Sequence, residues 1–441
     1  MKSHTRSSHF SLSPLAVASS LAVALSAGQA VAGGFEKATL WDAEYSALAG
    51  AAVSSVNDSS AIFFNPAGLA FAESNDIALH VSPTITHTKG PAGGEGTFID
   101  GEKNFSPVGG LTGLFRLDDK FTMGYGIYAS GGAAASYEDV TVGSTFTIPG
   151  AGIPVTPVTG DYSTDIKIIE AGLGLAYRIN NNWSVGGTYR LTYATADINL
   201  LSSVSGVGAS VGYNDLSGFN TFGVRLGAMY RSDDDRWGWG INYRSEVDIE
   251  ADGDYKYRNG TPAATVTGDA TAETALPMQI STGIDYKVDP HWTLFGEITY
   301  TDYSNNEQID FSVKDTSDGS SAAVPAIYSN WEDQYNYRIA AEYTGIENWA
   351  LRAGYIYTTA VVPEEYAAPT FSAPADAHSF TLGAGTSILD GQVDLDFAAV
   401  YDTVKNDDVK GGGQLTDTTQ SYAGKYEGTS YSLHASATYR F

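Results

Sequence analysis

The stretch YSLHASATYRF, residues 431–441, alternates between two kinds of side chain at every step. One set is Tyr431, Leu433, Ala435, Ala437, Tyr439 and Phe441, and the other is Ser432, His434, Ser436, Thr438 and Arg440. A period of two residues indicates a β-strand with one apolar and one polar face. The same alternation starts again at Trp349 and at Val393. The chain is therefore predicted to be all-β.

A repeat sets the number of strands. Trp183, Trp237, Trp292 and Trp349 are about 55 residues apart, which suits two long strands, one short turn and one long loop. Short turns are predicted at 117–120, 179–182, 232–235, 288–290, 345–348 and 389–391. Longer loops are predicted near residues 97, 148, 210, 265, 318, 368 and 416. These connections join fourteen antiparallel strands and leave both ends of the barrel on the side of the short turns.

The apolar face must meet either a second sheet or lipid. A soluble sandwich would bury that face between sheets, whereas a membrane barrel turns it outward. The alternation of short and long connections, the aromatic residues at strand ends and the terminal Phe441 favour the barrel. The chain of 441 residues has 28 Tyr, 49 Gly and no Cys, which also fits long strands with tight turns. We predict a transmembrane β-barrel over residues 76–441.

The first 75 residues do not fit the strand pattern. Lys2 and Arg6 precede an apolar run over 15–27, and Ala30-Val31-Ala32 ends residues 1–32 with the small-residue pattern of a secretory signal peptide. Residues 33–75 are apolar but irregular, and an irregular backbone cannot face hydrocarbon. We therefore predict that residues 33–75 form a plug inside the barrel.

AIFFNPAGLA, residues 61–70, is the most distinctive part of that plug. Phe63 and Phe64 supply apolar surface, Pro66 fixes a turn, and the side chain of Asn65 can bond to the neighbouring backbone. Ala67 completes the Asn-Pro-Ala motif. These residues are predicted to form the part of the plug that gates the lumen.

Three features together resemble the FadL/TodX-type outer-membrane transporters of long-chain fatty acids and other hydrophobic molecules. They are Asn65-Pro66-Ala67 after a signal peptide, the fourteen strands that follow, and AYRINNNWSVGGTYRLTYA at residues 176–194. The resemblance implies a monomer in the Gram-negative outer membrane, among outer-membrane lipid and lipopolysaccharide. It also implies that ligand enters the barrel from outside and leaves sideways through a gap at the third strand.

The resemblance directs attention to two sets of residues. Ser130, Gly131 and Gly132 in the third strand suit a bulge that opens the gap, although a flexible strand end is the alternative. The gap is expected beside the turn at Asn65 and Pro66. Arg190 is the candidate partner of a ligand carboxylate, and pairing with a lumen acid such as Glu170 is the alternative. The family's basic residue is expected at the position of Thr195, and this departure favours neutral or aromatic hydrocarbons as the alternative ligands.

Other functions have weaker support. No nucleophile motif accompanies the histidines, so the chain is not expected to be an enzyme. DTSDGSS at residues 315–321 lacks the ligand spacing of a calcium loop, and no metal or cofactor is predicted. A formal net charge of −27 disfavours nucleic acid as a partner. A general diffusion porin remains the nearer rival, but it would not need an apolar plug.

Overall fold

The computed structural model describes residues 34, 37, 39, 41–305, 307–319, 327–410 and 421–441. The predicted signal peptide over residues 1–32 lies outside the described residues. So do parts of the predicted loops near residues 318 and 416.

Over the described ranges the strands form one closed antiparallel barrel of fourteen, as predicted, and four of the strands are each interrupted once. The strands are β1 Asp76–Gly90, β2 Ile99–Arg116, β3 Phe121–Val142, β4 Val158–Arg178, β5 Trp183–Val204, β6 Val207–Arg231, β7 Trp237–Arg244 with Val247–Asn259, β8 Val266–Leu276 with Gln279–Lys287, β9 Trp292–Thr301 with Gln308–Lys314, β10 Ile327–Tyr328 with Gln334–Ile346, β11 Trp349–Thr358, β12 Ala377–Ile388, β13 Val393–Val409 and β14 Gly424–Arg440. Pairing of β1 with β14 closes the barrel.

Helical structure is short. The α-helices are α1 Ala43–Ala47 and α2 Ala61–Phe64, and the 3-10 helices are Pro66–Phe71, Tyr303–Asn305 and Glu364–Tyr366. A two-stranded ribbon, Phe146–Thr147 with Pro154–Val155, lies in the loop between β3 and β4. None of the helices in the described ranges is both long enough and apolar enough to span a membrane.

The predicted short turns all join neighbouring strands, but one predicted long loop is wrong. Instead of a loop near residue 210, β5 continues to Val204 and β6 begins at Val207. Ser205 and Gly206 alone connect them, with φ of 50° and 83°. Two consecutive residues with positive φ match the right-handed twist of a hairpin, so β5 and β6 stay paired up to this two-residue turn.

The two faces of the strands have the predicted orientation. Leu433 is 65% exposed, while His434 beside it is buried, and Leu79 and Leu382 are exposed in the same way. The apolar face therefore points outward, where a transmembrane barrel meets lipid.

Residues 41–75, hereafter the N-terminal segment, pack against the inward face of the strands. Trp41, Leu48, Ile62 and Leu69 are fully buried there. Asp42 is the N-cap of helix α1, and its side chain accepts a hydrogen bond from the Tyr45 amide at 3.0 Å. Each helix is too short to be stable alone, so the contacts with the barrel hold the segment in shape.

Candidate functional site

The Asn65-Pro66-Ala67 turn fixes the N-terminal segment to β6 and β7. The Oδ1 atom of Asn65 accepts from the Ala67 amide at 3.1 Å, and Pro66 starts the following 3-10 helix. The Nδ2 atom of Asn65 donates to Val53 O at 2.7 Å. It also donates to Ala228 O and to Ile241 O, both at 3.3 Å. The fully buried Asn65 side chain therefore ties two parts of the segment to two strands of the barrel wall.

Three glycines on neighbouring strands make room for this turn. A Cβ atom at Gly227 would lie 1.8 Å from Asn65 Oδ1, and one at Gly186 would lie 2.5 Å from Pro66 O. A Cβ atom at Gly240 would lie 2.0 Å from Val53 O. Any side chain at these positions on β5, β6 and β7 would displace the segment.

An aromatic cluster joins the segment to β3. The rings of Trp41 and Tyr128 are stacked with centroids 5.1 Å apart, and Phe63 meets both rings edge-on at 5.4 and 5.3 Å. Phe64 packs against Phe63 at 5.0 Å. These geometries are the favourable ones for aromatic pairs. The guanidinium of Arg225 lies over the Phe63 ring, 4.9 Å from its centroid.

A buried charged cluster lies behind the aromatic rings. Glu170 accepts from Arg190 Nε at 2.8 Å, from the Tyr128 hydroxyl at 2.7 Å and from Arg225 at 3.3 Å. Arg225 also donates to Ile62 O of the segment at 2.9 Å. Both arginines and Glu170 are almost fully buried. Arg190 therefore has the carboxylate partner that the sequence offered as the alternative to a ligand.

The ladder between β2 and β3 is incomplete. It runs from Arg116–Thr122 to Gly110–Tyr128 and then stops. Beyond that point, β2 pairs with β1 and β3 pairs with β4. The two strands approach again further along, where a Cβ at Gly101 would lie 2.9 Å from Ser136 O. An interval without ladder pairing therefore separates the two contacts.

β3 carries a bulge within that interval. Ala129 pairs with Ile169 and Gly131 with Ile168, so Ser130 has no partner residue on β4. An extra residue of this kind bends a strand and weakens its pairing. The sequence prediction of an irregularity at Ser130, Gly131 and Gly132 thus coincides with an observed bulge.

A cavity joins these features. Its wall includes Phe63 and Phe64 of the segment, Ser130 of β3, and Arg225 and Arg244 of β6 and β7. Arg190 is not among its lining residues, since its side chain extends to Glu170 and to Ser245 O. The cavity can therefore offer an apolar wall, a cationic wall and the irregular strand to one ligand.

Polar contacts hold the segment to β14 and to β2. Ser436 Oγ accepts from the Ala43 amide at 2.9 Å, and the hydroxyl groups of Ser59 and Thr112 are 2.8 Å apart. Asp58 lies within the segment, where the Tyr45 hydroxyl donates to it at 3.2 Å. Burial, with repulsion from Asp42 and Asp76, raises the pKa of Asp58 well above its usual range.

Sequence reasoning found part of this arrangement. Asn65 and Pro66 themselves contact β5, β6 and β7, while the 3-10 helix that Pro66 begins reaches β3, where a Cβ atom at Gly124 would lie 2.8 Å from the Leu69 side chain. The expected position of the turn beside the third strand stays a prediction. Trp41 and Phe63 also contact β3, at Tyr128. The sequence analysis did not include Trp41 or Tyr128 among the site residues. The presence of a tryptophan soon after the predicted cleavage point was a signal that could have identified Trp41.

Comparison with known proteins identifies the family. The family model for outer membrane protein transport proteins (OMPP1/FadL/TodX) matches residues 23–441. The long-chain fatty acid transport protein of Escherichia coli O6:H1 is 28% identical over 310 residues, which cover 60% of this chain and 63% of that protein.

Solved structures share the fold. A FadL homologue of Pseudomonas aeruginosa has a TM-score of 0.76 and 18% identity, covering 93% of this chain and all of that one. The toluene transporter TodX of Pseudomonas putida has a TM-score of 0.70 and 18% identity, covering 92% and 99%. The chain therefore belongs to the OMPP1/FadL/TodX family of outer membrane transport proteins, and it is a protein of the outer membrane.

Proposed function

We propose that this protein is an outer-membrane uptake channel for long-chain fatty acids or similar hydrophobic molecules. In this proposal residues 33–75 act as a plug in the lumen, and Phe63 to Ala67 form its gating part. Ligand leaves sideways between β2 and β3, at the bulge around Ser130 to Gly132. The observation that supports this most is the end of the β2–β3 ladder at Gly110–Tyr128, beside a cavity lined by Phe63, Phe64 and Ser130.

Lateral release has a simple physical advantage. Each methylene group moved from lipid into water costs about 0.8 kcal/mol, so a long acyl chain would lose on the order of 10 kcal/mol. An exit at the barrel wall lets the chain enter the hydrocarbon layer directly. Because the cavity and the unpaired interval belong to one barrel, we propose that a monomer is the working unit.

The charged cluster suits an acid head group. One carboxylate, Glu170, is shared by Arg190 and Arg225, and Arg244 adds a third guanidinium on the cavity wall. We propose that the ligand carboxylate binds where Arg225 and Arg244 line the cavity. Arg190 contributes by holding Glu170 and by adding its positive charge to the cluster.

Two substitutions that change the charge of the cluster in opposite directions test this assignment. Arg190→Ala should weaken binding of a fatty acid by less than the about 1.5–3 kcal/mol of a direct charge-assisted hydrogen bond, because Arg190 acts only through the charge of the cluster. Glu170→Gln has nearly the same shape, removes a competing negative charge and should strengthen binding. Affinities of oleate and of hexadecane would be measured by displacement of a fluorescent probe from the purified protein.

The hydrocarbon provides the control. Neither substitution should change hexadecane affinity appreciably, because a neutral chain gains nothing from the cluster charge. If oleate affinity stays the same in both variants, the cluster is not the carboxylate site. Binding of hexadecane without binding of oleate would favour the alternative that the protein carries neutral hydrocarbons.

A further inference from the structure

The cavity wall is unexpectedly polar for a channel that carries hydrophobic molecules. Phe63, Phe64, Val53 and Ile356 provide an apolar side. Apart from Ile356, the lining residues of β7 to β14 have mainly amide, hydroxyl and charged side chains, such as Asn242, Gln334 and Ser430. A saturated hydrocarbon would leave these groups without hydrogen bonds once water is displaced.

The charges on this wall are mostly matched in pairs. Arg338 donates to Glu297 at 2.7 Å, and Lys37 pairs with Asp402. Arg225 and Arg244 are further cations on the same wall. Arg225 shares Glu170 with Arg190 behind the wall. Together with these two neighbours, the described residues that line the cavity carry five cationic side chains and three carboxylates, an excess of positive charge that favours an anionic ligand.

Three buried side-chain oxygen atoms on the wall have no hydrogen-bond partner among the described residues. They are Oδ1 of Asn242, Oδ1 of Asp402 and Oγ of Ser430. These side chains are only 7%, 6% and 1% exposed. Two of the atoms are pure acceptors and the third can also accept, so each can be satisfied by an O–H or N–H donor.

An ordinary fatty acid cannot supply that donor. Its ionised carboxylate accepts hydrogen bonds but donates none, and its hydrocarbon chain neither donates nor accepts them. A hydroxyl group on the chain would donate to these acceptors while the carboxylate meets the arginines. Leaving a buried acceptor unsatisfied is costly, so this difference should decide between otherwise similar ligands.

We infer that the cavity selects hydroxylated long-chain acids over the corresponding plain acids and over hydrocarbons. This inference rests on the proposed function, because it assumes that the acid head group is held at Arg225 and Arg244. Asn242 stands two residues from Arg244 on the same face of β7, and Asp402 lies opposite Ser430 on β13 and β14. The acceptors are therefore spread along the cavity wall, so hydroxyl groups at different positions along the acyl chain of the ligand can be bound.

Ricinoleate and oleate form the matched pair for the test, since they differ by one hydroxyl group. Binding to the full-length protein would be measured by displacement of the same fluorescent probe. Ricinoleate should bind at least about tenfold more tightly, as expected for one satisfied buried acceptor. In the Asn242→Leu, Ser430→Ala double variant the ratio of the two affinities should fall well below the native ratio, because Asp402 Oδ1 is the one acceptor of the three that is left.

Asn336→Leu is the control variant. Asn336 lines the same cavity, but its Nδ2 donates to Gln334 and its Oδ1 accepts from Thr358. This substitution should leave the preference for ricinoleate in place. Equal affinities for the two acids in the native protein would overturn the hydroxyl selection while leaving the proposed function intact. Failure of both acids to bind would overturn the proposed function and this inference together.

Discussion

Two seams of the barrel, both in contact with the N-terminal segment, differ in their pairing. The seam between β1 and β14 is paired from Asp76–Arg440 to Lys89–Glu427, nearly the full length of β1. The seam between β2 and β3 is paired only as far as Gly110–Tyr128. The barrel is therefore closed where its two ends meet and weakly joined two strands further on.

The segment meets these seams with different chemistry. At the closed seam it makes hydrogen bonds, from the Ala43 amide to Ser436 of β14 and from the Ser82 hydroxyl of β1 to Trp41 O. At the incomplete seam it stacks Trp41 and Phe63 on Tyr128. Hydrogen bonds hold only within a narrow geometry, whereas apolar contact is not directional. We therefore expect the segment to be held in place at the β1–β14 seam and to move more easily at the β2–β3 seam.

Removing the segment should have the largest effect on this contrast. Deletion of residues 33–69 should leave a folded barrel, because the strands close on themselves without those residues. The lumen of a fourteen-stranded barrel should then be open, so ion conductance should rise several-fold. Single-channel recordings in planar bilayers measure this. An unchanged conductance would show that the segment does not fill the lumen.

A smaller effect should follow from disturbing the third attachment of the segment, on β5 to β7. Gly227→Ala places a methyl group against Asn65 and should cost about 1–3 kcal/mol in the free energy of unfolding. Gly296→Ala is the matched control, because a Cβ atom there would have no neighbour within 4 Å. Urea unfolding of both variants measures the difference. Equal unfolding midpoints would mean that the turn does not rest on Gly227.

The smallest predicted effect concerns pH. Because the pKa of Asp58 is raised in the folded protein, the folded state binds a proton more tightly than the unfolded state. The segment should therefore loosen as pH rises from the usual aspartate range through the raised pKa. Asp58→Asn should reduce this dependence and stabilise the segment by on the order of 1 kcal/mol at neutral pH.

Hydrogen exchange of the α1 amides, corrected for intrinsic rates, measures the loosening. Native protein should show less protection at high pH than at low pH, and the variant should show a smaller difference, because burial also raises the pKa of Glu44 in α1. An unchanged pH dependence in Asp58→Asn would assign it to another group.

The barrel could be predicted from the sequence because its signals are local. Alternation gives the faces, and the spacing of Trp183, Trp237, Trp292 and Trp349 gives the strand count. The hairpin at Ser205 and Gly206 was missed, since nothing in the alternation distinguishes a long strand from a loop with similar residues.

The site was less predictable because it depends on contacts between distant parts of the chain. The bulge at Ser130 has a local signal in its glycines. The attachment of Asn65 to Gly227 does not, since the two residues are far apart in sequence. The partner of Arg190 was named as an alternative, but only the fold places Tyr128 and Arg225 on the same carboxylate.

The most direct test is to lock the segment to the wall. The hydroxyl oxygens of Ser59 and Thr112 are 2.8 Å apart, so cysteines at these positions are well placed to form a disulfide, and the chain has no other cysteine. Thr84→Cys with Ser432→Cys is the control pair, because those oxygens are 2.9 Å apart and join β1 to β14 only.

Uptake of a fluorescent fatty acid would be compared in oxidised and reduced cells. If the segment must move for ligand to leave, oxidation should abolish uptake in the first pair, reduction should restore it, and the control pair should transport in both states. Normal uptake by the oxidised first pair would contradict release by movement of the segment.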